Sequence, residues 1–407
     1  MDQTTASATG KSSRGKDQIH WSEGVWQALD HAVTEEMTRT RVAAKILPHV
    51  YVEKKQTNVP QDVVILPQTS AVPFDPAFSI DESATFRVQE YWTTFKLSVA
   101  QVEAEEHEEM MLNQQMASSQ SQGHAATGHM SHHYRASTAV SLSLRTANLL
   151  AQAEDLILFN GQNAVQNSPL FQPPATRLVQ FLDANLQNDL DLGLLNIGPN
   201  GNIPINSPTG PAGLTSTAQV IAVHPIVQGF EGSPPRYAEN TLNAVATAFS
   251  ELQALGHYEH YALVLHTIPY ADLHQALATT LIEPVEPISH LIKAGIHGTG
   301  TLPPFTAAGA GLPVSIGPTP TPISNLFPAT TGSPPNGVPN VLYTGVLVSL
   351  SGNTMDHVRG RMDENLDVAV NFNQKDANEA YRFRVAERFA LRLKDPSAVI
   401  LLLFMDS

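Results

Sequence analysis

Histidine and methionine side chains, which can bind metals, are concentrated in one polar segment, residues 105–135. It holds five of the 16 histidines and four of the nine methionines: His107, His124, His129, His132, His133, Met110, Met111, Met116 and Met130. Imidazole and thioether groups suit copper, and the run from His129 to His133 could supply both. Gln, Ser and Gly dominate the surroundings, and no carboxylate follows this run to orient ligands. We therefore predict a solvated loop without a metal site, and keep metal binding or storage as an alternative.

Two motifs begin like catalytic signatures and are incomplete. Residues 107–111, His-Glu-Glu-Met-Met, start like a zinc-protease helix, but Met111 stands where the second histidine ligand must be. Residues 10–12, Gly-Lys-Ser, match the end of a phosphate-binding loop, but Thr5 replaces its first glycine. Neither motif predicts a site.

The remaining candidates for chemistry are three histidines near one predicted helix–strand junction, His257, His260 and His266. We interpret them as turn and core residues. The sequence has no Gly-x-Ser-x-Gly nucleophile motif and no Glu-x-x-His pair of the ferritin kind. It therefore predicts that the chain is not an enzyme, and a cytosolic hydrolase is the least favoured alternative.

Composition narrows the class of protein. The 407 residues, 42% of them hydrophobic, are enough for two or three domains. A net charge of −15 disfavours a nucleic-acid-binding role, and the absence of cysteine excludes disulfides and thiolate sites. No stretch approaches the roughly 20 apolar residues of a membrane span. With 29 prolines and only 15% charged residues, the chain is expected to have long ordered loops.

Hydrophobic periodicity predicts a mixture of helices and strands without the alternation of a doubly wound sheet. Helices are predicted at residues 22–46, 139–159, 238–255 and 270–278. The first of them has an apolar stripe on one face: Trp26, Leu29, Val33 and Met37. Strands are predicted at residues 93–102 and 261–265 and within the C-terminal blocks 345–370 and 381–404. The last of these ends in an apolar run, Val399 to Phe404, which we expect inside a sheet because a free edge of this kind invites aggregation.

The C-terminal order of pieces resembles that of a known family. Residues 345–370 read as a strand, a Ser-Gly-Asn turn, an acidic turn and a strand, and residues 381–404 as an alternating strand, Asp395-Pro396 and the apolar run. This order resembles the C-terminal half of the family 1 encapsulin shell protein, which shares its fold with tailed-phage capsids. Four further segments are similar in the same order: the helix with Trp26 and Asp30, and residues 93–103, 153–161 and 238–296.

The resemblance implies an α+β fold of the HK97-like capsid subunit kind, with an N-terminal helix, an extended loop, a spine-helix core domain and an apical domain. The boundaries that follow are a polar arm at 1–20, the N-terminal helix and start of the core at 21–55, the extended loop at 56–104, the His/Met-rich insertion at 105–135, the spine helix and a Pro/Asn-rich insertion at 136–215, the apical domain at 216–344 and the C-terminal core strands at 345–407.

The function implied by the resemblance is self-assembly into an icosahedral shell, in multiples of sixty copies, that encloses a cargo enzyme in the cytoplasm. Family cargo proteins, which include peroxidases and ferritin-like proteins, dock through a short targeting peptide. No membrane, specific nucleic acid or cofactor is expected; Ala100 stands where some members carry a flavin-stacking tryptophan. A phage or prophage major capsid protein that packages DNA is the close alternative.

Two sites follow from the resemblance alone. The cargo groove would lie beside residues 33–50, with Val42, Ile46 and Val50 as apolar contacts. The loop around the five-fold pore would comprise Thr279, Thr280, Leu281, Ile282 and Glu283, followed by Glu286. A ring of the two glutamates would favour cations.

Overall fold

The chain forms two compact units. One comprises Met1–Arg39, Trp92–Leu150 and Met362–Glu387, and the other Thr40–Tyr91, Ala151–Arg361 and Arg388–Ser407. The structure, a computed structural model, describes residues 18–54, 56–60, 63–65, 79–81, 85–107, 111, 138–161, 164–165, 168–171, 177–181, 193–195, 205–207, 216–217, 219–227, 235–276, 281–302, 341–351, 354–363, 366–375 and 380–405.

Helices and strands are mixed, which confirms the α+β prediction. The helices are α1 (Glu23–Thr40), α2 (Ala43–Ile46), α3 (Thr138–Asn160), α4 (Ala238–Ala254), α5 (Thr267–Leu273) and α6 (Val285–Leu291). The strands are β1 (His49–Val52), β2 (Asn58–Pro60), β3 (Val63–Ile65), β4 (Ser79–Asp81), β5 (Thr85–Arg87), β6 (Gln89–Ser98), β7 (Gln180–Phe181), β8 (Ile205–Ser207), β9 (Ser216–Thr217), β10 (Gln219–Val223), β11 (Tyr261–His266), β12 (Ile296–Thr299), β13 (Val341–Ser349), β14 (Met355–Gly360), β15 (Val368–Lys375), β16 (Ala380–Leu393) and β17 (Val399–Met405).

In the first unit, α1 buries the predicted stripe of Trp26, Leu29, Val33 and Met37. Asp30 on the same face accepts a 2.9 Å hydrogen bond from the Val370 N–H. β15 pairs antiparallel with the first half of β16. The buried face of α1 is therefore apolar except for Asp30, and a carboxylate oxygen of Asp30 binds the backbone of β15.

The predicted strand at 93–102 is wrong at both ends. β6 starts earlier, at Gln89, and stops at Ser98, after which residues 99–107 are helical. The Gln101 side chain accepts from the Ser98 N–H at 2.8 Å, and the Ser98 hydroxyl accepts from the Gln101 N–H at 3.3 Å. This reciprocal pair is a capping box, which starts a helix at this point.

The predicted single helix at 22–46 is also wrong, because α1 ends at Thr40 and α2 begins at Ala43. The helix breaks where the backbone N–H groups of Val42 and Ala43 turn to a side chain, Asp155 of α3. A distant carboxylate replaces the intrahelical acceptors, and nothing in the local sequence predicts that.

The second unit contains a five-stranded sheet in the order β10-β17-β13-β11-β12. β17 lies inside it, parallel to β10 and antiparallel to β13, so that Leu401 faces Val220 on one side and Val346 on the other. Every residue from Val399 to Met405 is buried. The apolar C-terminal run is enclosed in a sheet as predicted, but β10, β11 and β12 of that sheet come from the range predicted as the apical domain, so it is not the core-domain sheet that was expected.

The segment predicted as the extended loop, which we call the arm, contains two short ribbons in the same unit, β2 paired with β5 and β3 paired with β4. At its base β14 pairs parallel with β1 and antiparallel with the second half of β16. A small apolar cluster packs there: Val52, Val59, Phe86, Val88 and Val358, with Val50 and Ala390 against it. We call residues 56–60 and 85–88 the arm root.

Candidate functional site

The three residues predicted to dock cargo differ in exposure. Ile46 is buried, with 6% of its surface exposed, whereas Val42 and Val50 are half-buried. Val50 packs against the apolar cluster of the arm root. The two half-buried valines can therefore offer apolar surface, while Ile46 belongs to the interior of the unit.

The predicted pore loop is only partly described, since Thr279 and Thr280 lie outside the described residues. Leu281 is 82% exposed and has a positive φ of 56°, a conformation that is uncommon for leucine. Ile282 beside it is half exposed. Such a tip presents apolar surface on strained backbone, which is typical of a contact loop.

The two glutamates near this tip have different surroundings. An oxygen of Glu283 lies 3.9 Å from the His274 Nδ1. Glu286 is exposed in the first turn of α6. The helix predicted at 270–278 is shifted, since α5 covers Thr267–Leu273. Its placement puts His274 immediately after the helix and next to the acidic turn.

A buried charged cluster in the second unit was not predicted from the sequence. Arg41 Nε lies 2.5 Å from one oxygen of Glu154, and His357 Nε2 lies 3.1 Å from the other. The side chains of Glu154 and His357 are fully enclosed and that of Arg41 is 4% exposed. The signal was present as two adjacent acids, Glu154 and Asp155, inside the otherwise apolar end of the spine helix.

The protonation states in this cluster follow from burial and charge. Burial, with Glu154 adjacent, raises the pKa of Asp155 to about 7, and the Val42 and Ala43 N–H donors only partly oppose this. Burial alone would raise the pKa of Glu154, but Arg41 and His357 hold it at about 2. Burial lowers the pKa of His357 to about 4. The cluster is enclosed, so it fastens chain segments and does not meet a substrate.

Two arginines of β16 reach the backbone at the arm root and just before it. Arg388 donates from Nη1 to the Lys54 carbonyl and from Nη2 to the Gln56 carbonyl, the latter at 2.7 Å. Arg392 donates from Nη1 to the Pro60 carbonyl at 3.4 Å, and its guanidinium also binds Asp356. Neither arginine was singled out from the sequence, because their acceptors lie more than 300 residues away along the chain.

Ser397, His257 and Asp395 bring together the residue types of a hydrolytic triad. The Ser397 hydroxyl lies 3.0 Å from His257 Nε2 but donates to Asp395 at 2.6 Å. Asp395 itself lies 3.7 Å from the same Nε2. In a triad the carboxylate holds the other ring nitrogen, so this arrangement closes the turn before β17 and does not activate the serine.

The predicted His/Met-rich segment falls almost wholly outside the described residues, which retain only its first helical part and Met111. Within the described ranges no group of three or more His, Asp or Glu side chains could hold a metal ion. None of the helices in those ranges is long and apolar enough to cross a membrane.

Comparison with known proteins gives structural likenesses only. No family model and no curated protein matches the chain. Among solved structures it is similar to the virus-like particle of Pyrococcus furiosus, with 14% identity over 92% of this chain and 98% of that one and a TM-score of 0.46. The capsid of an empty GTA particle gives 12% identity, 90% of each chain and 0.42. An encapsulin complex from Synechococcus elongatus PCC 7942 gives 10% identity, 90% and 88%, and 0.36.

Proposed function

We propose that this chain is the subunit of a self-assembling protein shell of the encapsulin type, a nanocompartment in the cytoplasm. The order of elements supports this: an N-terminal helix, an extended arm, a spine helix, a five-stranded sheet packed against helices, and C-terminal strands, two of which belong to that sheet. No catalytic constellation occurs in the described ranges, so the proposed role is structural.

The observation that carries the proposal is the extended arm. β2–β5 packs on the apolar cluster of its own unit, whereas β3–β4 is a further two-stranded ribbon of only three residues a strand. An isolated ribbon of this size is marginal in water and needs packing from elsewhere. A second copy of the chain can supply that packing, and heterologous contacts that close into a ring or cage do so symmetrically.

The cargo would dock on the shell's inner surface near Val42 and Val50. A short peptide gains affinity mainly from a few apolar anchors, each worth about 1.5–3 kcal/mol when buried. Small solutes would enter at the tip formed by Leu281 to Glu286. A ferritin-like protein or a peroxidase fits the proposed role of cargo.

The contents of purified particles test this function. The hypothesis of an encapsulin shell predicts that a cargo protein co-purifies with the particles and that they hold no long DNA. Long genomic DNA inside the particles would favour a phage capsid instead. Val42→Asp should reduce the amount of cargo without preventing assembly, because Val42 is only half-buried. Lys45→Asp at an exposed neighbouring position is the matched control. Equal loading in both variants would remove Val42 from the docking site.

A further inference from the structure

Three alternate residues of β16, which share one face of the strand, contact the chain at the arm root. Side chains two residues apart along a strand share a face, so Arg388, Ala390 and Arg392 lie on the same one. Ala390 packs against the apolar cluster, and the arginines on either side of it bind the carbonyls of Lys54, Gln56 and Pro60. The base of the arm is thus held at three backbone points around one apolar contact.

The neighbouring strand is shaped to admit one of these arginines. Gly360 on β14 faces Arg388 in the antiparallel register. A Cβ added at Gly360 would lie 2.8 Å from the Arg388 Cβ and 3.3 Å from its guanidinium carbon. Since only 8% of Arg388 is exposed, the guanidinium could not escape to solvent. Gly360 leaves the space in which the side chain can lie along the sheet.

Arginine suits this task better than lysine does. Its planar guanidinium presents several N–H donors in a fixed fork, so one side chain can bind two carbonyls in a defined direction. A lysine ammonium keeps the charge but has no fixed fork. Asp356 holds the second guanidinium from the side, with Lys394 also 2.8 Å from that carboxylate.

A small rotation at the root is magnified along the arm. Eight residues, the number from the start of β2 to the end of β3, reach at most about 25 Å in an extended chain. A change of about 10° at the base would therefore displace the far end by about 4 Å, the scale of the spacing between neighbouring strands. The direction of the arm consequently determines which part of a second copy it can meet.

We propose that Arg388 and Arg392 form a clasp that fixes the direction in which the arm leaves its unit and thereby sets the geometry of contact with a second copy. The consequence for assembly rests on the proposed shell function, whereas the fastening of the root does not. Both can be measured on the full chain.

The test compares Arg388→Lys with Arg39→Lys, a conservative change at an arginine whose side chain is 76% exposed. Hydrogen exchange is followed at the Val88 amide, which donates to the Thr57 carbonyl across the root at 2.8 Å. We expect exchange in unassembled Arg388→Lys subunits to rise about tenfold or more, because the root opens locally. Arg39→Lys should leave it unchanged.

Particle size is the second readout. Arg388→Lys should give particles of mixed diameter where the unaltered chain and Arg39→Lys give one. Unchanged exchange at Val88 would overturn the clasp, and raised exchange with unaltered particles would overturn its role in assembly. If the unaltered chain forms no particles, the proposed function fails while the exchange result still decides the clasp. Arg392→Lys, at an 11% exposed side chain, provides the same measurements should Arg388→Lys not fold.

Discussion

Strand β17 and residues 41–60 belong to the same unit but are held by different forces. β17 lies between β10 and β13, so its backbone is paired on both edges and its side chains are buried. The described part of residues 41–60 contains only short elements, α2, β1 and β2, and side chains from distant parts of the chain bind the backbone at and between their ends. Asp155 takes two N–H groups near the start, and Arg388 and Arg392 take three carbonyls further on.

The difference follows from the requirement that buried backbone groups find hydrogen-bond partners. The backbone of a strand inside a sheet is hydrogen-bonded to the neighbouring strands, and burial of its apolar side chains then supplies the stability. A segment that turns and leaves the unit must use polar side chains. Hydrogen bonds from polar side chains fix the direction of the segment. The stability of this region depends on pH, because the pKa values of Asp155 and His357 are shifted. The sheet therefore should set the stability of the unit, and the clasped segment its geometry.

The largest expected effect is in the sheet. Phe404 is fully buried, with its ring 4.9 Å from that of Tyr237. Phe404→Ala should lower the free energy of unfolding by about 3–5 kcal/mol. Denaturant unfolding of dissociated subunits measures this. Leu255→Ala, at a position 45% exposed after α4, is the control and should cost less than about 0.5 kcal/mol. Similar losses for the two would contradict the assignment of stability to the sheet.

The buried cluster should give opposite pH dependences in two variants. The pKa of Asp155 is raised from 3.8 to about 7, so between these values the folded state binds more protons and stability falls as pH rises. The pKa of His357 is lowered from 6.5 to about 4, so the unfolded state binds more protons in that range and stability falls as pH falls. In the unaltered chain the two slopes largely cancel between about pH 4 and 6.5.

Removing either group should therefore reveal the other. From pH 4.5 to 6.5, His357→Gln should become less stable and Asp155→Asn more stable, each by up to about 1.4 kcal/mol per pH unit. Below about pH 3.8 both should lose stability, because Asp155 then no longer adds a slope and the pKa of Glu154, held at about 2, gives a loss on acidification. Unfolding midpoints across this range provide the measurement. Curves that stay parallel in the two variants would rule out opposed titration.

A smaller effect is expected at the arm root. Val59 is buried in the small cluster there rather than in the sheet. Val59→Ala should lower the free energy of unfolding by less than about 1 kcal/mol, because the arm can open while the rest of the unit stays folded. Exchange of the Val88 amide should nevertheless be faster. A global loss as large as that of Phe404→Ala would show that the arm root is part of the cooperative core.

The smallest effect on stability is expected at the exposed tip. Replacing Glu283 and Glu286 with glutamine should leave unfolding unchanged within about 0.5 kcal/mol, as is usual for surface positions. Entry of cations into dye-loaded particles should slow, since an acidic ring attracts them. A neutral dye is the control. Equal cation entry before and after the change would remove the glutamates from the pore.

Periodicity and apolar runs predicted the elements whose stability is local or apolar. The stripe of α1, the spine helix and the enclosure of Val399 to Phe404 were all readable from residue types. The break between α1 and α2 could not be predicted in this way. α1 ends because Asp155 binds backbone from more than 100 residues away, and no local pattern records that. The end of β6 was readable, since Ser98 and Gln101 have the spacing of a capping box.

The site was less predictable than the fold. The adjacent acids Glu154 and Asp155 stand out in an apolar helix, but their partners Arg41 and His357 are fixed only by tertiary structure. The same holds for the clasp: an alternating strand predicts that Arg388 and Arg392 share a face, not that the face meets a backbone turn. The docking and pore residues came from resemblance alone and stay predictions.

Cryo-electron microscopy of the purified full chain tests the central claim most directly. If the chain is a shell subunit, we expect closed hollow particles in which the arm of one copy lies on another. Sixty copies of a 44.0 kDa chain would weigh about 2.6 MDa. Images that show closed particles of at least this mass would support the account. A chain that remains a monomer or small oligomer, with its arm packed on its own sheet, would contradict it.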